Sequence, residues 1–146
     1  MPKKIENTFH ENSQAVQAHL EITQSAIQRM ADNSASCKTW CITLVSAILV
    51  VIADKGKPQY ALIAIIPTAL FLILDSYYLM LEKMFRESYN GFINKLHNDK
   101  IVETDLYSIK PDGNRIKAFF ASIFSFSVFP FYLTLLVMVW ITMSII

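Results

Sequence analysis

Glycine, cysteine and histidine are scarce in this chain: three, two and three of 146 residues. Three glycines cannot build a phosphate-cradling loop, and no G-x-S-x-G or H-E-x-x-H sequence occurs. His10, His19 and His97 are scattered without metal-ligand spacing, and Cys37 and Cys41 lie four apart on one helix face. That spacing is neither a zinc nor a redox pattern, so both read as small packing residues. No catalytic dyad, cofactor site or metal site is expected. Charge is also short, at 17% of residues against about 25% in an average soluble domain. The net charge of +1 argues neither for nor against a nucleic acid partner.

The missing charge is concentrated. Thr39–Ala53, Tyr60–Leu74 and Ala118–Ile146 contain none. The first apolar run begins near residue 39 and does not read as a secretory signal. Crossing ~30 Å of hydrocarbon takes about 20 helical residues. The first run has 15, which places Lys38 and Trp40 at its boundary. DKGKPQ then forms a polar turn broken by Gly56 and Pro58. The second run continues through Asp75 to Leu81, with Pro67 as a candidate kink. A central acid costs about 2.5–3.5 kcal/mol, and the surrounding Leu, Ile and Phe residues offset it. The third run, 29 residues, would be ~43 Å as a helix, too long for one crossing. Pro130 divides it into an interfacial or elbow segment and a final span.

These readings predict an all-α integral membrane protein with three transmembrane helices. Residues 1–38 form an amphipathic helix, 39–81 a transmembrane hairpin, and 82–117 a helix and loop. Residues 118–146 supply the interfacial segment and third span. Lys3, Lys4, Arg29 and Lys38 precede the first span, and seven more cations lie between Lys83 and Lys117; only Lys55 and Lys57 occupy the turn. The positive-inside bias places the N-terminus and the 82–117 segment in the cytoplasm, and the C-terminus outside.

The soluble parts read as helical extensions of the first two spans. Thr8 and Glu11 form a capping box, and no Pro or Gly interrupts Thr8 to Asp54. Phe9, Val16, Leu20, Ile27 and Met30 recur at heptad spacing. Leu81, Phe85, Tyr89, Phe92 and Leu96 make the answering stripe. The first arm, Phe9 to Lys38, would be ~45 Å long and the second, Glu82 to His97, ~24 Å. A seam around Phe9–Leu20 is therefore expected to lack a partner in its own chain. It would fray, lie on the membrane, or pair with other subunits or a regulatory partner. Residues 101–115 read as a loop, with turn chemistry at Lys110–Gly113.

Asp75, Tyr78, Glu82, Arg86 and Tyr89 share one helix face. Counted from the turn, Asp75 lies ~22 Å along its helix and Lys38 ~24 Å along the other. They are expected to pair, either as a hairpin lock or as part of a gate. Thr39, Thr43 and Ser46 are candidate pore-facing residues, because their hydroxyls can bond their own helix while tolerating water.

The stretch RMADNSASCKTWCITLVSA, with LDSYYLMLEKMFRESYN and SVFPFYLTLL, resembles a family of small bacterial membrane proteins. The residues carrying the likeness are Arg29, Met30, Asn33, Ser34, Lys38 and Trp40. Asp75, Tyr77, Tyr78, Leu79, Glu82, Phe85, Arg86 and Tyr89 continue it. The family is that of the SLATT-type effectors of anti-phage defence, which are described around two spans. The resemblance implies a homo-oligomeric, pore-forming effector of the bacterial inner membrane. Its trigger would be a nucleotide or oligonucleotide ligand, or a nucleotidyltransferase-like partner. The alternative is a non-conducting membrane anchor or scaffold for a cytoplasmic complex.

Overall fold

The computed structural model describes residues 10–106 and 108–145. The described residues are helical or irregular, without strands. Helix α1 spans Gln14–Lys55, 42 residues or ~63 Å. It is unbroken because it contains neither Pro nor Gly. It begins later than the capping box predicts. Thr8 and Phe9 lie outside the described residues, Glu11 sits in a turn, and Ser13 Oγ accepts from Val16 N at 3.2 Å. Ser13 caps because its extended backbone (ψ 134°) lets the hydroxyl reach back over the first turn. At the other end Gly56 adopts φ 60° and donates its N–H to Ala53 O, a left-handed stop that glycine adopts without strain.

The second run starts as a 3-10 helix, Pro58–Ala64, and continues as α2, Ile65–His97. Pro67 thus marks a change of helix type. It stands in the first turn of α2, so its missing N–H falls at the junction of the two helix types. Gly91 does not interrupt α2. Both α1 and the Pro58–His97 run are long and apolar enough to cross a membrane, and only 22% of each apolar window is buried. The core helix of a soluble domain would be mostly covered.

The hairpin has two apolar cores. Cys41, Val45, Ile52, Ala61 and Ala64 form one near the turn. Val16, Phe92, Leu96 and Ile101 form the other at the far end, with Leu20 and Leu106 packed against it. This second core corrects the expectation of an unpartnered seam: Val16 and Ile27 are buried, and Leu20 and Met30 half-buried. The arms match because Lys38 lies level with Asp75, not with Glu82. From Asp75 to His97, α2 runs ~33 Å; from Lys38 back to Gln14, α1 runs ~36 Å.

Residues 98–106 and 108–114 fold back along the hairpin, with a short helix α3, Glu103–Leu106. His19 stacks on Phe92 at 4.2 Å and its Nδ1 meets Leu106 O at 3.1 Å. A carbonyl only accepts, so that nitrogen carries the hydrogen. Lys95 donates to Asp105 at 2.8 Å, and this bond, chiefly, holds the Asp105 carboxyl below its ordinary range.

Helix α4, Arg115–Ile123, lies along α2, and an elbow at 124–128 leads into α5, Phe129–Ile145. Pro130 is the second residue of α5, where its ring is compatible with a helix start. At 17 residues, ~25 Å, α5 is shorter than the two long helices. It packs on α1, α2 and the 3-10 helix, and Tyr132 donates to Phe71 O at 3.0 Å. Val128, Tyr132, Leu135 and Val139 complete the turn-side core.

Candidate functional site

Between the two apolar cores lies a buried polar cluster. Ser34 and Lys38 are four apart on α1, so they present side chains to the same stretch of α2. Asp75 is the residue they meet there. Lys38 Nζ is 2.6 Å from Asp75 Oδ2. Ser34 donates to Asp75 Oδ1 and accepts from Lys38 Nζ at 3.2 Å. Two sides of this triangle are hydrogen bonds; the third is an ion-pair contact, and Asp75 Oδ2, though close to the ammonium, accepts no hydrogen bond.

Burial makes the cluster consequential. Asp75 is 0% exposed, whereas the Lys38 side chain is 21% exposed. The carboxylate is therefore enclosed and the ammonium keeps a path outward. Ser76, beside Asp75 on α2, is also wholly buried, and its Oγ has no hydrogen-bond partner; nor does Ser125 Oγ at the elbow. Cys37 and Cys41, both free and buried, pack on the same face of α1. Lys38 lies ~25 Å along α1 from Lys55, which sets the ion pair at one edge of the charge-free segment.

The other members of the predicted stripe do not join it. Tyr78 is half-buried and meets Tyr77 edge-on. Glu82 and Arg86 pair with each other at 2.9 Å, Arg86 being 59% exposed. The reason is rotational: beyond Asp75 the covered face of α2 passes through Ser76, Met80 and Met84, leaving 82 and 86 toward the edge.

Thr39, Thr43 and Ser46 are exposed. They lie on the side of α1 opposite Cys37, Cys41 and Val45, which are buried. Thr39 donates to Ala35 O at 3.2 Å and Thr43 to Thr39 O at 2.8 Å. These hydroxyls are satisfied within their own helix. Apolar side chains are uncovered on all three apolar helices: Trp40 and Val50 on α1, Ile66 and Leu70 on α2 and Trp140 on α5 are each more than half exposed.

The chain matches no protein family, no curated protein and no solved structure. Sequence reasoning singled out Lys38 and Asp75 as site residues but passed over Ser34. Its signal was the four-residue step to Lys38, which puts a hydroxyl on the face already assigned to the lysine. Among the described residues no group of three His, Cys, Asp or Glu side chains is placed to hold a metal ion.

Proposed function

We propose that this chain is an integral protein of the bacterial inner membrane that crosses it three times. Copies of it assemble into an ion-conducting pore, held closed until a cytoplasmic signal arrives. In this reading α1, the Pro58–His97 run and α5 are the crossings. The N-terminus and the far end of the hairpin are cytoplasmic, and the C-terminus is periplasmic.

The observation that carries the reading is the hydroxyl row on the uncovered face of α1. One chain packs its three apolar helices around a filled core, so a water path requires several copies around an axis. Thr39, Thr43 and Ser46 are the charge-free polar groups that would face such an axis. Asp75 would not line the path, because it is enclosed within its own chain. Its role would be to hold α1 against α2, so that movement of the hairpin reaches the crossings. A ligand shifts such an equilibrium only through differential affinity for its two states. The resemblance to SLATT-type effectors supplies the candidates: a nucleotide or oligonucleotide, or a nucleotidyltransferase-like partner, in anti-phage defence. The closed Ser34–Lys38–Asp75 triangle also suits a second reading, a rigid anchor for a cytoplasmic complex that conducts nothing.

Ion flux separates the two. Protein reconstituted in vesicles with its activating partner should release a trapped ion, and expression of the active pair should depolarise the membrane. Replacing Thr43 and Ser46 by leucine should suppress flux while the protein remains folded and inserted. Vesicles that stay tight under every candidate signal would leave the anchor reading standing.

A further inference from the structure

We infer that the groove between α2 and α4 is a binding site for the phosphate headgroup of an anionic glycerophospholipid, with Lys83 and Lys117 as its cationic ligands. The inference rests on the membrane reading above and adds a ligand to it.

The groove measures about 270 Å³, and Lys83 and Lys117 stand on its two helices, with Ala118 and Ala121 among its lining residues. Small side chains on α4 keep it open. Its end is built by the returning loop: Asp112 N donates to Met84 O at 3.4 Å, and Asn114 caps α4 by accepting from Lys117 N at 3.1 Å. Gly113, at φ 111°, lies so close to α2 that a Cβ there would meet Glu87 Oε2 at 2.9 Å. Glu87 is the one acidic group lining the groove. Among the described residues neither Lys83, Lys117 nor the adjacent Arg115 takes part in an ion pair. The local balance is therefore positive and unspent.

Position selects a lipid over a soluble anion. Lys83 lies eight residues beyond Asp75, ~12 Å toward the cytoplasmic end. Helix α4 runs from that level back toward the apolar zone, and its elbow packs near Leu72. On the adjoining face of α4, outside the groove lining, Ile116, Phe120 and Phe124 are 72%, 57% and 72% exposed. Cations at one end and uncovered aromatic surface at the other match a molecule with a charged head and an acyl chain. Basic pockets between helices on the cytoplasmic side take anionic headgroups on this basis, each lysine strengthening binding about fivefold.

The test uses the full-length protein in zwitterionic lipid discs, titrated with fluorescent phosphatidylglycerol. Phosphatidylcholine and inorganic phosphate serve as competitors. Phosphatidylglycerol should bind saturably and resist both. Lys83→Gln with Lys117→Gln should weaken it about 30-fold, and Lys83→Arg with Lys117→Arg should retain it. Lys100→Gln, at the far end of the hairpin, should change nothing. Undiminished binding by the double glutamine variant would overturn the site, as would displacement by inorganic phosphate at comparable concentration. Failure of the underlying reading looks different: the wild-type protein would then be recovered outside the membrane fraction of cells. An inserted wild-type protein with no preference for phosphatidylglycerol would count against the site alone.

Discussion

Lys38→Ala should destabilise the protein more than Asp75→Ala, and the double substitution should harm it less than the two single effects combined. Removing the lysine leaves a carboxylate with no exposure, held only by the Ser34 hydroxyl. Breaking a buried pair in this way costs about 3–5 kcal/mol. Removing the aspartate leaves a lysine whose side chain is already 21% exposed and can extend toward water, so that loss is smaller. Removing both eliminates the two desolvation penalties together. Denaturant unfolding in detergent, arranged as a double-mutant cycle, reads the coupling directly. Additive losses would mean that the 2.6 Å contact contributes nothing as a pair.

Val16→Asp should open the far end of the hairpin without disturbing the apolar end. Val16 is 0% exposed and packs with Phe92, Leu96 and Ile101. An isolated carboxylate there has no cation in that core. Phe92→Ala should act similarly, at about 3–5 kcal/mol for the deleted ring, because it also removes the surface on which His19 stacks. Amide hydrogen exchange should quicken across residues 14–30 and 88–106 while 39–53 stays protected. An arm that remains protected but a particle that loses subunits would return Val16, Leu20, Ile27 and Met30 to the role of an oligomer seam.

Much of the fold was legible where local chemistry decides it. The absence of Pro and Gly between Thr8 and Asp54 made α1 continuous, and Gly56 with Pro58 ended it. Counting residues from that turn put Lys38 and Asp75 at one depth, where they touch. The misreadings have physical causes. Thr8 and Glu11 offered a helix start, but the cap in use is Ser13, whose hydroxyl accepts from Val16 N; spacing alone does not show which hydroxyl the first turn reaches. The second arm looked short because it was measured from Glu82, although the level of Lys38 is that of Asp75. The fold-back after α2 brings Leu106 O to His19, 87 positions away, which no local pattern reveals. The hydroxyl row could be read as a face, but only the packing of Cys37, Cys41 and Val45 on the opposite side of α1 shows that its own chain leaves it uncovered.

The measurement closest to the central claim is a topology map with a reporter active only in the cytoplasm. Placed within Asn98 to Asn114 it should give signal, because the positive charges of Lys83–Lys117 stay inside. Placed after Ile146 it should be silent, because three crossings carry the C-terminus out. Signal at both positions would mean an even number of crossings, α5 would not be one of them, and the three-helix pore would have to be abandoned.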